Sequence, residues 1–385
     1  MDARALNRAT LARQLLLERA AIPVLAAIER VAGLQAQLAR PPFVGLWTRV
    51  AGFRRDQLAT LVRDKQVVRA TLMRGTLHLA SARDYLAWRP ALQSMLAANA
   101  SAIFKQRAKG IDPAAVCAYA RTQLPATFDA LRPLLAKRFA GCDERALGYT
   151  VRTHLPLVQL PTDDRWAYPA AAAFADAATW LGTPIAATAS AHDLIRRYLA
   201  AFGPATVRDA QIWSGVPKLE PVFADLRDEL VTFRDGKREL FDLPDAPRPP
   251  ADTPVPVRLL PDFDNLVLAH DDRRRIVADE HRAQLTTKNL QVKATFLVDG
   301  FVAGTWTIER AKARATLVLV PFGKLGKPVR AALEAEADAL VRFVEADATS
   351  YAIAFRTDPT ATARAPRGRS TTPASRRRTA PRRGP

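Results

Sequence analysis

The stretch that decides the fold is YLAAFGPATVRDAQIWSGVPKLEPVFADLRDELVTFRDGKREL, residues 198–240. A helix that ends at Gly-Pro-Ala-Thr places Thr206 where a hydroxyl caps the next helix. A third helix follows, and Asp235 with Gly236 is a strong hairpin-turn pair within 230–243. Three helices, the second of them capped by Thr206, and a hairpin in this order are typical of a helix-turn-helix that carries a wing.

A similar order of helices and extended chain recurs twice upstream, so we expect an α+β protein of tandem winged-helix units. The predicted units are 1–100, 101–185 and 186–246. A Pro-rich linker at 244–256 leads to a β-rich region at 255–357, which we expect to form a small β-barrel-like domain closed by one helix at 328–343. Residues 358–385 have almost no apolar content and are predicted to be a disordered basic tail.

The chain is strongly basic, with a formal charge of +19 from 57 basic and 38 acidic residues. Residues 360–385 hold eight arginines and no acid, so residues 1–359 still carry +11 (19 − 8). A surplus of this size predicts binding to a polyanion through phosphate neutralisation. Two alternatives remain: the charge only confers solubility, or the tail alone contacts RNA or a membrane surface.

Few residues report on the cellular compartment. Cys117 and Cys142 are the only cysteines, which predicts a reducing environment and no disulfide framework. The N-terminal residues are charged throughout, and no apolar run approaches the ~18 residues of a membrane span. We therefore expect a cytoplasmic, nucleoid-associated protein that does not engage a membrane.

Several common enzyme motifs are missing from the sequence. It contains no GxSxG, HExxH or GxGxxG, which argues against the corresponding hydrolases, zinc proteases and dinucleotide enzymes. The acidic stretch at 259–275 lacks a second His or Cys at ligand spacing, so neither a metal nor a cofactor is expected. The run Arg273, Arg274 and Arg275 is predicted to meet DNA phosphate, although such runs are usually just solvated.

The segment GLQAQLARPPFVGLWTRV, residues 33–50, carries two glutamines two positions apart. On a helix Gln35 and Gln37 would diverge by about 200°, whereas in an extended chain they share one face. Gly33 favours the extended form, and the two following prolines disfavour the helical region at Arg40. Two amides aimed at one point can hold a water or a sugar oxygen. The plain alternative is a pair of surface glutamines at a helix end.

The segment TLMRGTLHL, residues 71–79, is predicted to be one strand. Its polar residues Arg74, Thr76 and His78 would then share a face that binds phosphate or lines a site, unless it is simply solvated. Trp166 falls in a predicted wing, where its ring would stack on a base.

Seven segments share their order and spacing with a known family. They are GLQAQ (33–37), LWTRV (46–50), LMRGTLHL (72–79), WLG (180–182), YLAAFGPAT (198–206), RLLPDFDNLVLAH (258–270) and LVDGFVAGTW (297–306). Over about residues 4–356 the chain resembles the bacterial winged-helix DNA glycosylases of the AlkZ and YcaQ type, which excise alkylated bases and unhook crosslinks.

The resemblance implies three tandem winged helices that form a concave DNA-binding face, followed by a β-barrel-like domain. It also implies a catalytic Gln-apolar-Gln motif, which falls on Gln35, Ala36 and Gln37. One branch of the family has Asp at the last position; Gln37 places this sequence with the branch associated with self-resistance to bulky alkylating antibiotics. Arg40 and the other polar residues named above are expected to contact DNA beside this motif.

The sequence therefore predicts a monofunctional DNA glycosylase that acts as a monomer on double-stranded DNA carrying alkylated bases. Its substrates would be cationic N7-alkylated purines, including interstrand crosslinks, with the two glutamines positioning a water. The alternative is a non-catalytic winged-helix DNA-binding protein, such as a transcriptional regulator. A regulator would usually dimerise, and the sequence shows no coiled-coil heptads.

Overall fold

The computed structural model describes residues 1–287 and 291–357. The predicted basic tail at 358–385 therefore lies outside the described residues. Within them, runs of several helices are separated for the most part by pairs or runs of β-strands, which confirms the α+β class.

The N-terminal region is helical with three short strands. Its elements are α1 (Ala3–Arg13), α2 (Val24–Arg30), β1 (Leu34–Gln35), α3 (Pro41–Trp47), α4 (Arg55–Arg63), β2 (Val67–Thr71), β3 (Leu77–Ser81), α5 (Ala82–Ala91) and α6 (Gln93–Phe104). Helix α5 begins where the Ser81 hydroxyl accepts a hydrogen bond from the Asp84 N–H, the usual means of satisfying a free N–H at a helix start.

The second region repeats helices followed by strands. It contains α7 (Pro113–Thr122), α8 (Phe128–Arg138), α9 (Glu144–His154), β4 (Leu157–Gln159), β5 (Phe174–Asp176) and α10 (Ala177–Leu181). Asp112, Thr127 and Asp143 each cap one of its first three helices through a side-chain oxygen.

One β-sheet joins these two regions, with strand order β1-β3-β2-β4-β5. Strand β2 pairs antiparallel with β4 at Ala70 and Val158, a contact that crosses the boundary we predicted at residue 100. The strands expected as separate wings thus form a single sheet. The backbone N–H and C=O groups at the free edge of β2 pair with β4, a strand from later in the chain.

The third region has the element order that the sequence predicts. It contains α11 (His192–Phe202), α12 (Val207–Ser214), α13 (Glu220–Asp225), β6 (Val231–Asp235) and β7 (Arg238–Asp242). The predicted cap is confirmed: the Thr206 hydroxyl accepts from the Asp209 N–H at 3.0 Å, and the Asp209 carboxylate accepts from the Thr206 N–H at 2.9 Å. The predicted hairpin is confirmed as β6 and β7.

The C-terminal region is an open sheet covered by one helix. Its elements are β8 (Arg258–Leu260), β9 (Thr295–Val298), β10 (Phe301–Ala311), β11 (Arg314–Pro321), α14 (Lys327–Val344) and β12 (Ser350–Phe355). In the strand order β12-β11-β10-β9-β8, strands β8 and β12 lie at opposite edges of the sheet. They do not pair with each other within the described residues 258–260 and 291–357. The sheet is therefore not closed into a barrel, whereas the predicted closing helix is present as α14, which buries Leu333, Ala337 and Leu340 against the sheet.

Candidate active site

The glutamine motif begins in extended chain, as predicted for Gln35, whereas Gln37 lies in a bend just after the strand. Leu34 and Gln35 pair antiparallel with Leu79 and His78 at the edge of the N-terminal sheet. Gly33 precedes them with a φ of +79°, and a Cβ at this position would lie 3.1 Å from the Leu79 carbonyl oxygen. A glycine is therefore needed to turn the chain from α2 into this strand.

The two motif side chains contact consecutive residues of the chain. The Gln35 Nε2 donates to the Thr76 hydroxyl at 3.2 Å, and the Gln37 Oε1 accepts from the Leu77 N–H at 3.1 Å. Gln35 is 6% exposed, whereas Gln37 is half-buried. Both amides are thus fixed against the segment that enters β3, and they are not splayed to opposite sides of the strand.

Arg69 supports the motif from β2 and was not singled out from the sequence. Its guanidinium donates to the Ala36 carbonyl at 2.9 Å and to the Gln37 carbonyl at 3.2 Å. Burial lowers its pKa to about 10, with Tyr168 opposing and Arg152 adding to the shift, so the group is charged at neutral pH. The only signal in the sequence was an arginine within an otherwise apolar strand.

The segment 71–79 is a hairpin and not the single strand that we predicted. Met73–Gly75 form a 3-10 turn between β2 and β3, and Arg74 adopts a φ of +57°. Its guanidinium donates to the Trp213 carbonyl, and to the Asn265 Oδ1 at 3.0 Å. Arg74 therefore stabilises the turn against the third and C-terminal regions, and its predicted phosphate contact stays a prediction.

His78 is fully buried, which does not support the DNA contact predicted for it. Its Nδ1 lies 3.1 Å from the Thr76 carbonyl oxygen. Burial, together with the nearby Arg74 charge, lowers the His78 pKa to about 3, which keeps the ring neutral at neutral pH. Of the predicted polar row, only Thr76 forms a side-chain hydrogen bond with a motif glutamine among the described residues.

Arg40 is helical, with φ −67° and ψ −45°, against the prediction made from the prolines that follow it. Its carbonyl accepts from the Phe43 N–H at 3.0 Å, and its guanidinium forms a 3.2 Å ion pair with Asp262. These interactions offset the steric preference of a residue before proline. Its role as a DNA contact stays a prediction.

The acidic turn of the C-terminal region packs beneath the motif. Asn265 donates through Nδ2 to the Gly33 carbonyl at 3.4 Å and accepts from Arg74 through Oδ1. The preceding Asp264 is buried in an ion pair with Arg49. No pattern in the sequence connects residues 33 and 265, which are more than two hundred positions apart.

The three consecutive arginines have different environments. Arg275 is buried and donates to the Pro204 carbonyl at 2.8 Å, so its predicted phosphate contact is wrong. Arg274 is exposed, but its guanidinium is held by the Asp272 carboxylate, while Arg273 is half-buried. A phosphate contact stays a prediction for Arg273 and Arg274 only.

Trp166 packs between the first and C-terminal regions. Its ring meets Phe43 edge-on at 5.1 Å between centroids, and the guanidinium groups of Arg55 and Arg165 lie over it at 4.9 and 5.3 Å. These contacts cover part of the half-buried ring, and base stacking by this residue stays a prediction.

Within residues 1–287 and 291–357, no cluster of three or more His, Cys, Asp or Glu side chains could hold a metal ion. In the same part of the chain no helix is both long and apolar enough to traverse a bilayer. The groups that the structure places around the motif are the amide, hydroxyl and guanidinium groups described above.

Comparisons with known proteins agree with one another. The family model described as DNA glycosylase AlkZ-like matches residues 28–343. The interstrand DNA cross-link repair glycosylase of Streptomyces sahachiroi is 29% identical over 346 residues, which cover 82% of this chain and 89% of that protein. The solved structure of the Streptomyces sahachiroi DNA glycosylase AlkZ shares the fold, with a TM-score of 0.73 at 22% identity, over 92% of this chain and all of that one. The family match covers most of the chain, so the protein belongs to the AlkZ-like family of DNA glycosylases.

Proposed function

We propose that the protein hydrolyses the N-glycosidic bond of cationic N7-alkylated purines in double-stranded DNA, with Gln35 and Gln37 positioning the attacking water. The observation that carries this proposal is the convergence of both amides on the consecutive residues Thr76 and Leu77. The family match supports the glycosylase activity, and the amide-only motif supports the choice of lesion.

The reaction needs little help with the leaving group. A guanine alkylated at N7 is already cationic, so it departs as a neutral base without a general acid. The water oxygen forms a bond to C1′, the bond from C1′ to N9 breaks, and its electron pair neutralises the purine ring. One proton of the water passes to bulk solvent. The enzyme has to place the water and stabilise oxocarbenium-like charge, which amide dipoles do more weakly than a carboxylate.

The proposal extends to crosslinked lesions that are attached through a cationic N7-alkylated purine. The relative from Streptomyces sahachiroi is named for interstrand cross-link repair. A base tethered to the opposite strand cannot rotate freely out of the duplex, so its enzyme needs an open site. Gln37 is half-buried, and the adjacent Leu38 is 51% exposed. This exposure supports a site that meets the lesion in the groove, without a closed pocket.

The proposal is tested with a duplex that contains one N7-methylguanine, by scoring abasic sites under single-turnover conditions. The wild-type enzyme should release the base, and the Gln35→Ala/Gln37→Ala variant should release none above the spontaneous rate while keeping its affinity for the duplex. The matched control replaces two exposed glutamines, Gln66→Ala and Gln106→Ala, and should match the wild type. Base release by the motif variant at the wild-type rate would remove the glutamines from the mechanism. A duplex with an N7-linked interstrand crosslink then tests the extension to crosslinks.

A further inference from the structure

The Thr76 hydroxyl lies between the Gln35 amide and a backbone carbonyl. Its Oγ1 is 3.1 Å from the Met73 carbonyl oxygen and 3.2 Å from the Gln35 Nε2. A carbonyl oxygen can only accept a hydrogen bond, so the single hydroxyl proton of Thr76 points to Met73. The lone pairs of the hydroxyl are then left to face Gln35.

His78 cannot take the hydroxyl proton in place of Met73. Its Nδ1 is 3.1 Å from the Thr76 carbonyl oxygen and 3.5 Å from the Thr76 Oγ1. Because that carbonyl also only accepts, the Nδ1 atom must carry the imidazole proton. The His78 Nδ1 is thus a donor and cannot accept the Thr76 hydroxyl proton. That proton is therefore left for the Met73 carbonyl.

The orientation of the Gln35 amide follows from this network. Thr76 offers a lone pair, so Gln35 has to present its N–H group, and its Oε1 is turned the other way. Gln37 is oriented in the opposite sense, because the Leu77 N–H can only donate and therefore binds the Gln37 Oε1. Among the described residues no hydrogen bond involves the Gln35 Oε1 or the Gln37 Nε2.

One free acceptor and one free donor suit the placement of a water. A water has two protons and two lone pairs. The water donates one proton to the Gln35 Oε1 and accepts a hydrogen bond from the Gln37 Nε2 with one lone pair. Its second lone pair is then left for attack on C1′. A flipped Gln35 amide would present a second donor, which would engage both lone pairs of the water.

We propose that Thr76 is a positioning residue that locks the Gln35 side chain as the proton acceptor for the attacking water, while Gln37 acts as the donor. This inference rests on the proposed function, because it assigns roles within the same reaction. It replaces the DNA contact that we predicted for Thr76 from the sequence.

The test compares Thr76→Val with Thr76→Ser. Valine keeps the shape of the side chain and removes the hydroxyl, whereas serine keeps the hydroxyl. With N7-methylguanine duplex and saturating enzyme, Thr76→Val should slow single-turnover base release about tenfold, the equivalent of one neutral hydrogen bond. Thr76→Ser should stay within about twofold of the wild type, and both should bind the duplex with wild-type affinity, since the rate and not the affinity depends on the amide orientation.

Thr295→Val is the matched control, because Thr295 is buried in β9 and its hydroxyl has no partner among the described residues. It should leave the rate unchanged. If valine weakens the fold, Thr76→Ala replaces it in the comparison with Thr76→Ser, since alanine also removes the hydroxyl. Wild-type rates in both Thr76→Val and Thr76→Ala, or an equal loss in Thr76→Ser, would overturn the positioning role. Failure of the wild-type enzyme to release the base would instead refute the proposed function itself, so the two failures are distinguishable.

Discussion

Arg49 donates hydrogen bonds of 2.9 Å from its Nη1 and Nη2 atoms to the two carboxylate oxygens of Asp264. Both side chains are almost fully buried, at 1% and 2% exposure. Arg49 follows α3, which comes directly after the glutamine motif, and Asp264 precedes Asn265, which bonds to the Gly33 carbonyl. The ion pair therefore connects the C-terminal region to both ends of the segment that carries the motif.

Removal of one partner of this pair should strongly destabilise the protein. Asp264→Ala leaves the Arg49 charge buried without compensation, which typically costs about 3–5 kcal/mol. Urea unfolding should show this loss in the free energy of unfolding. The control is Asp262→Ala, which breaks the half-exposed pair with Arg40 and should cost less than about 1 kcal/mol. Equal effects of the two variants would contradict a special role for the buried pair.

Arg69 should matter for the rate of base release and not for DNA affinity. Arg69→Lys keeps the charge, but one ammonium group cannot reproduce the planar pair of donors that now reaches the Ala36 and Gln37 carbonyls. We expect single-turnover base release to fall about tenfold, as for the loss of one hydrogen bond. Arg63→Lys on the exposed side of α4 is the control and should behave as wild type. A wild-type rate in Arg69→Lys would show that the strand holds its shape without this support.

Acid should destabilise the fold through its buried histidines. Burial, aided by the Arg74 charge, lowers the pKa of His78 to about 3. His270 is lowered in the same direction by burial and by Arg275, against the opposing effect of Asp209. Below pH 6.5 these histidines bind protons in the unfolded chain but stay neutral in the folded chain. The free energy of unfolding therefore falls as the pH drops from 6.5 toward 3.

The expected loss is about 2 kcal/mol per histidine at pH 5 relative to pH 8. It is measured as the free energy of urea unfolding at several pH values between these limits. His78→Gln removes one titrating group, and its stability should therefore decline less steeply between pH 7 and 5 than that of the wild type. Parallel curves for the two proteins would show that His78 does not titrate as its burial requires.

The features that could be predicted from the sequence are those set by near neighbours. The Thr206 cap and the hairpin of β6 and β7 depend on residues a few positions apart, and both are confirmed. The extended geometry of Gln35 followed from Gly33, which has to adopt a positive φ. Local sterics and local hydrogen bonds decide such features, so a pattern in the sequence is sufficient to predict them.

The errors arose where distant contacts decide the structure. Arg74 was placed on a continuous strand, but its contacts with Trp213 and Asn265 stabilise a turn there. Arg275 and His78 look exposed and polar in the sequence, yet each is buried by chain from another region. Period-two alternation cannot reveal a turn whose conformation is fixed by partners 139 and 191 residues away.

The basic tail should contribute to affinity without contributing to the chemistry. Deletion of 360–385 removes eight arginines and leaves a formal charge of +11 (19 − 8). Each phosphate that a protein neutralises adds about 0.9 to the slope of log affinity against log salt, so the truncated protein should bind duplex DNA more weakly and with a shallower salt dependence.

Base release at saturating enzyme should be unchanged by this deletion, because Gln35, Gln37 and the groups that orient them all lie in the remaining chain. The control replaces all eight arginines by lysines, which preserves the charge and should preserve the salt slope. Loss of base release on deletion would place part of the catalytic machinery in the tail. An unchanged slope would mean instead that the +11 of residues 1–359 alone accounts for the attraction to DNA, since counterion release counts only the cations that reach phosphate.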